Sequence, residues 1–368
     1  MKAVYRTLMT LVITLVMLGV VLVLGASSGM SKNYGMLFSH VAKVGFALVL
    51  MFTFAYMPYE YFKKWSKLLL MSIVFLLFLT LVMGIAKKGA SRWLNLGFVT
   101  FQPAEFAKLI IIIHLANLIE RKGELIRDFK NGYIHVITWL FLVVGLIVIQ
   151  PNLSTSILIM VTGFAMLYVA GARYKHLIIT SLIVGAIGLV LLMSFTHSRE
   201  RIYSFLGLAK EQTHSVNLQS YQSKVALGSG GLTGKGLGQS RQSDLFLPEA
   251  YGDFIYAILG EQLGFVGTVI VLLAYLALFV LGVLISYKCP DMFGKMLGFG
   301  ITLSITLNAL VNAAVVSGAV PVTGITLPFI SFGGTSILTF CIAIGIVINI
   351  ALKFIKSREV EAANEILS

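Results

Sequence analysis

The chain has 368 residues, 58% of them hydrophobic and 12% charged, with a mean hydropathy of +0.93. A soluble domain carries about a quarter charged residues, so this composition excludes a water-soluble globular protein. The net charge of +13 sits in short loops between apolar runs, the pattern of a membrane protein and not of a nucleic-acid binder.

The apolar runs recur at 8–25, 40–57, 66–85, 104–119, 134–150, 154–170, 175–195, 252–286, 295–318 and 333–355. A run of about 17–25 residues crosses roughly 30 Å of hydrocarbon. Helices satisfy their own backbone there, and the short alternating segments of a barrel are missing. About ten transmembrane helices are therefore predicted, in an all-α polytopic integral membrane protein forming one transmembrane domain over 1–368. The 252–286 run exceeds one crossing and predicts a tilted or projecting helix. Lys2 and Arg6 ahead of a run ending in Gly25-Ala26-Ser27 have the outline of a signal peptide. Its apolar core is too long for one, so it reads as a retained first helix.

One set of short loops holds sixteen Lys and Arg, among them Lys63, Arg127 and Lys356; the other holds four: Lys32, Lys87, Lys88 and Arg92. Cytoplasmic loops are the basic ones, which predicts both termini in the cytoplasm. Residues 196–251 then form a large extracytoplasmic loop, with aromatic residues, His197, His214 and a glycine cluster, predicted to include surface or partly embedded helices. Cys289 and Cys341 are too widely placed to pair and make no metal framework.

Several clusters could carry chemistry. Lys43 lies in the second run without a local acid and needs a partner from another helix. Ser91-Arg92-Trp93 precedes Gln102-Pro103-Ala104-Glu105-Phe106-Ala107-Lys108. Pro103 suits a helix start, and Glu105 and Lys108, three apart, can neutralise each other. Alternatively Arg92 and Lys108 are cations for a phosphorylated lipid headgroup. Trp93 could be an interfacial anchor.

The stretch Gly228-Ser229-Gly230-Gly231-Leu232-Thr233-Gly234-Lys235-Gly236-Leu237-Gly238 fits neither the phosphate-loop nor the dinucleotide pattern. It reads as a tightly turning loop, or as backbone amides that approach a pyrophosphate together with Lys235 and Arg241. Next, Leu247-Pro248-Glu249-Ala250-Tyr251-Gly252-Asp253 leads into the eighth run. If Pro248 starts that helix, Glu249 and Asp253 share a face near its outer end. They could simply stabilise the positive helix terminus. However, Asp253 sits where the chain turns apolar, a costly place for an ionisable group without a task or a partner. Glu261, two turns deeper, is a second embedded acid. Asn308 and Asn312 read as helix packing. The uncharged stretch from Gly318 to Ser336, which includes Ser331, has two prolines and four glycines that forbid a continuous helix. Such backbone is tolerated at membrane depth only when packed in protein or lining a cavity.

Together these segments resemble the SEDS family of peptidoglycan polymerases. The resemblance rests on Gly89-Ala90-Ser91-Arg92-Trp93 with Gln102-Pro103-Ala104-Glu105, on Leu247-Pro248-Glu249 with Asp253-Phe254-Ile255, and on Leu327-Pro328-Phe329-Ile330-Ser331-Phe332-Gly333-Gly334. It runs from Ala26 to the end of the tenth span. Ala226-Leu227-Gly228-Ser229-Gly230-Gly231 and Gly238-Gln239-Ser240-Arg241-Gln242 look more like the septal division branch than the elongation branch. Gly252 and Gln262 depart from the pattern, standing where many relatives carry a polar residue and a Glu.

The resemblance implies polymerisation of lipid II, an undecaprenyl-pyrophosphate-linked disaccharide-pentapeptide, into β-1,4 glycan on the outer membrane face. It further implies work with a single-pass class B penicillin-binding protein and other division proteins at the septum of a bacterial inner membrane. By similarity Asp253 is the catalytic acid residue. Arg92, Trp93, Glu105, Lys108, Lys43, Glu249, Lys235, Arg241 and Ser331 are the candidate substrate contacts. A divalent cation such as Mg2+ or Mn2+ could accompany the substrate pyrophosphate, without a dedicated ligand cluster and without an organic cofactor. A lipid II flippase and a non-catalytic division scaffold are the alternatives.

Overall fold

The computed structural model describes residues 1–27, 34–87, 90–95, 100–208, 214–242 and 246–367. Twelve helices are described: α1 (Lys2–Ser27), α2 (Tyr34–Tyr56), α3 (Glu60–Met83), α4 (Pro103–Lys122), α5 (Ile134–Ile149), α6 (Leu153–Val169), α7 (Tyr174–Ser194), α8 (Thr196–Phe205), α9 (His214–Ser229), α10 (Ile255–Lys288), α11 (Met292–Val316) and α12 (Gly334–Leu367). All but α8 and α9 overlap the ten apolar runs. Among the described residues eight helical stretches are long and apolar enough to cross a membrane, α5 together with the π-helical turn before it (Phe129–Ile149) being one of them, and α6 is a shorter apolar helix. Helix α4 carries Glu105, Lys108 and Glu120, and it does so inside the bundle: its first turns are buried on nearly every face. The chain is a polytopic membrane protein.

The order of burial distinguishes core helices from lipid-facing ones. In the apolar window of α12, 78% of residues are buried inside the protein, against 6% in that of α7. Helix α12 packs along α2 and is pinned to it by a polar contact. Asn349 Nδ2 donates to the Ala55 carbonyl at 2.8 Å, and its Oδ1 accepts the Tyr59 amide at 3.0 Å. Such side-chain bonds hold helices together where the hydrophobic effect between them is weak.

Two features differ from the sequence expectation. Between α3 and α4 the chain forms three short antiparallel strands, β1 (Ile85–Lys87), β2 (Ala90–Asn95) and β3 (Thr100–Phe101), in the order β1-β2-β3. Arg92 and Trp93 lie on the central strand. The long eighth run is also not one tilted helix. Gly264 sits inside α10 with φ 69° and ψ −169°, which breaks the helix into a short piece over 255–263 and a long one beyond.

Candidate active site

The acid at 253 stands at the start of the short piece of α10, in a turn and not on a helix. Residues 248–254 form turns, Glu249 has φ 59°, and the helix begins at Ile255. The helix start expected at Pro248 is thus corrected, and Glu249 and Asp253 do not share a helical face. The physical cause is competition for carbonyls. Phe332 donates its amide to Tyr251 O at 2.7 Å, Ser331 Oγ donates to Gly252 O at 2.7 Å, and Asn312 Nδ2 donates to Asp253 O at 2.7 Å. Three consecutive carbonyls that a helix would use internally are taken by α11 and the 319–333 segment. Asn312 also donates to Ile325 O at 2.6 Å, so this residue, read from sequence as packing, joins the acid's turn to the loop.

Asp253 is half-buried. A Cβ added at Gly324 would lie 3.3 Å from its Oδ2, so the loop passes close over the carboxylate. Two arginines act on it electrostatically, Arg92 and Arg201. Arg92 Nε donates to Gln150 O at 3.2 Å and Nη2 to Pro151 O. Arg201, on α8, donates from Nη1 to Val322 O at 3.1 Å and Thr323 O at 3.0 Å. Burial pulls the Arg92 guanidinium down to about 10, helped by the like charge of Arg201 and opposed by Asp253. Burial likewise lowers Arg201, again opposed by Asp253. Both remain cations at neutral pH.

The two arginines line a cavity of about 480 Å³ whose other walls include Ile157, Leu192, Leu310, Val311 and Val320. Its chemistry is therefore split between two cations, with Asn152, Ser154 and Ser198, and aliphatic side chains. A second cavity of about 270 Å³ borders the acid's own turn, lined by residues including Met36, Glu249, Tyr251 and Phe332.

The remaining sequence candidates divide sharply. Glu105 and Lys108 pair at 3.0 Å, and Lys108 also donates to Asn308 Oδ1 at 3.1 Å, with both side chains nearly inaccessible. That favours the internal neutralisation over headgroup binding. Lys43 finds an aromatic partner instead of an acid: its Nζ lies 4.6 Å from the centre of the Phe332 ring, a cation–π contact. Ser331 is buried, with its hydroxyl accepting from Leu327 N at 2.8 Å while donating to Gly252 O, so it braces the turn. Trp93 is half-buried beside Arg92, Glu249 is exposed on the second cavity, and Arg241 is exposed.

Lys235 pairs with Glu261 at 2.7 Å, and the glycine cluster around it is occupied in a particular way. In an intact helix the amides of 265 and 266 would donate to the carbonyls of 261 and 262. Here Phe265 N donates to Gly231 O at 2.9 Å and Val266 N to Leu232 O at 3.1 Å. The carbonyls left over accept from the loop, Glu261 O from Lys235 N and Gln262 O from Gly236 N, both at 3.0 Å. The loop is inserted into the helix ladder, a recognised cause of kinks. Those amides are consequently not available to a phosphate. A metal fares no better: among the described residues no group of three or more His, Cys, Asp or Glu could hold one.

The family of cell cycle proteins that comprises FtsW, RodA and SpoVE matches residues 5–355. The chain belongs to this family. Stage V sporulation protein E of Bacillus subtilis (strain 168) is 38% identical over 83% of this chain and 84% of its own length. The probable peptidoglycan glycosyltransferase FtsW of Trichlorobacter lovleyi is 34% identical, covering 94% and 92%. The peptidoglycan glycosyltransferase MrdB of Escherichia coli (strain K12) is also 34% identical, covering 89% and 88%. In three dimensions the chain resembles the rod shape determining protein RodA of Thermus thermophilus, with TM-score 0.71, 25% identity, and coverage of 94% and 96%. A chain of a peptidoglycan synthase complex superposes with TM-score 0.78 at 24% identity, covering 94% and 97%. The fold and family expected from the sequence motifs are both found.

Proposed function

We propose that this protein is a peptidoglycan glycosyltransferase that polymerises lipid II at the outer face of a bacterial inner membrane. The observation that carries this reading is the half-buried Asp253 within electrostatic reach of Arg92 and Arg201, two half-buried arginines that line an apolar-walled cavity. An amphiphile with a pyrophosphate joined to a polyprenyl chain matches that division of walls. The relatives' names as peptidoglycan glycosyltransferases support the same reaction.

An α-linked donor that gives a β-1,4 product requires inversion in one displacement. The acceptor's 4-hydroxyl oxygen bonds to the donor's anomeric carbon as the bond from that carbon to the pyrophosphate oxygen breaks. The hydroxyl proton passes to the Asp253 carboxylate, and undecaprenyl pyrophosphate leaves. A positioned general base contributes about 10²–10⁴-fold. Arg92 and Arg201 face the negative charge that grows on the leaving group, and preorganised cations in a water-poor site are effective there. A divalent cation, if used, would come with the substrate phosphates, and no step is assigned to it.

A class B penicillin-binding protein is the proposed partner, and the division septum the proposed place of work. The test is polymerisation of labelled lipid II by the purified chain with its partner. Asp253→Asn is expected to lower strand synthesis by about 10²–10⁴-fold. Equal strands from both proteins would remove Asp253 as the base, and translocation of lipid II without strands would establish a flippase.

A further inference from the structure

We propose that Glu261 and Lys235 form a positioning latch, which fixes the short piece of α10 and with it Asp253. This rests on the reading of Asp253 as the base and adds how that base is held. The break at Gly264 frees residues 255–263 from the direction of the long part of α10. Their orientation must then be set by whatever occupies the break. The loop fits so closely that a Cβ at Gly264 would stand 2.4 Å from Gly234 N, and one at Gly234 would stand 2.1 Å from Gln262 O. With φ of 69° and 84°, both positions also need the left-handed freedom of glycine.

Glu261 completes the assembly. Its side chain is fully buried, and the two oxygens divide their partners between separate stretches of chain. Oε1 accepts from Lys235 Nζ at 2.7 Å and from Ser229 Oγ, at the end of α9, at 3.4 Å. Oε2 accepts from Ser240 Oγ at 2.5 Å and from Gln242 N at 3.3 Å. The segment after Gln242 leads into the acid's turn, and the segment after that turn is the short helix. One carboxylate therefore ties down both chain stretches that flank Asp253. A buried carboxylate satisfied this fully is rigid, and breaking such a network by removing one partner is disruptive. Lys235, in this view, acts on Glu261 and not on the substrate headgroup.

The experiment compares Lys235→Met, Glu261→Gln, the double variant and Gly234→Ala, each as the full chain in lipid nanodiscs with its partner. Strand synthesis is measured against lipid II concentration, and melting temperature is recorded in parallel. A misplacement of about 1 Å can cost about 100-fold in rate. The latch thus predicts kcat lower by about 10- to 100-fold at KM within about twofold of wild type. The double variant should be no worse than Glu261→Gln, since groups acting as one unit are non-additive. Lys235→Arg should keep most of the rate. Should Glu261→Gln not fold, Lys235→Met, at the exposed end of the pair, gives the same reading. A raised KM with unchanged kcat in Lys235→Met would make it a headgroup contact and overturn the latch. Wild-type kcat and KM in folded variants, with only the melting temperature lowered, would overturn it too. Either result with Asp253→Asn inactive leaves the general-base reading standing.

Discussion

Arg201 spans a distance that no local pattern reveals. Its Nη1 reaches the carbonyls of Val322 and Thr323, residues more than a hundred positions away, while it lines the same cavity as Arg92. The sequence offers it only as one of six basic residues in a long loop, and nothing in its neighbours distinguishes it from Arg199. Asp253 was legible for the opposite reason: an acid at the threshold of an apolar run is conspicuous by its cost. A lysine keeps the charge, but its compact ammonium, on a stem that ends closer to the backbone than the guanidinium Nη1, is not held where that nitrogen meets both carbonyls. Each charged hydrogen bond contributes about 1.5–3 kcal/mol, and about 1.4 kcal/mol is a factor of ten. Arg201→Lys is therefore expected to lower kcat/KM for lipid II by about 10-fold or more, measured by strand synthesis on the full chain. An unchanged value would show that the side chain merely pins the loop.

At the scale of elements, hydrophobic runs located the helices well because crossing a membrane imposes length and apolarity directly. They could not reveal the break in α10, which depends on a loop supplied from outside the helix, nor the turn at 248–254, whose carbonyls are claimed by Ser331, Phe332 and Asn312. A further element contact joins the opposite end of the bundle. Cys289, just after α10, lies buried between the Tyr59 hydroxyl at 3.5 Å and Asp291 Oδ1 at 3.4 Å, and Tyr59 also bonds to Asp291. Burial raises the thiol from 9.0 to about 11. The folded state therefore keeps a proton that the unfolded chain loses first. Stability from this joint is accordingly expected to be intact below about 9 and to decline as pH rises from 9 through 11. The thiolate is the reactive form, so alkylation of native protein should stay slow up to pH 9 and accelerate towards 11. Rapid labelling at pH 8 would mean that the joint opens readily.

For the whole molecule the decisive property is which end faces outward. The arrangement of helices groups Arg92, Pro151, Arg201, Asp253 and Thr323 at one end and Tyr59, Asp128, Cys289 and Asp291 at the other. The fold alone does not orient this axis; the charge of the loops does, because an anionic cytoplasmic leaflet and the insertion machinery retain Lys and Arg. Sixteen basic residues against four predict that the Asp253 end faces outside, where the proposed reaction makes polymer. Both native cysteines are buried, so single reporters can be introduced with little background. In cells whose inner membrane is intact, a membrane-impermeant maleimide is expected to label Arg241→Cys but not Arg127→Cys. The Arg127→Cys protein should become reactive only after permeabilisation. The reverse pattern would turn Asp253 and both arginines towards the cytosol, and a base held there could not extend glycan on the outer surface, whatever its geometry.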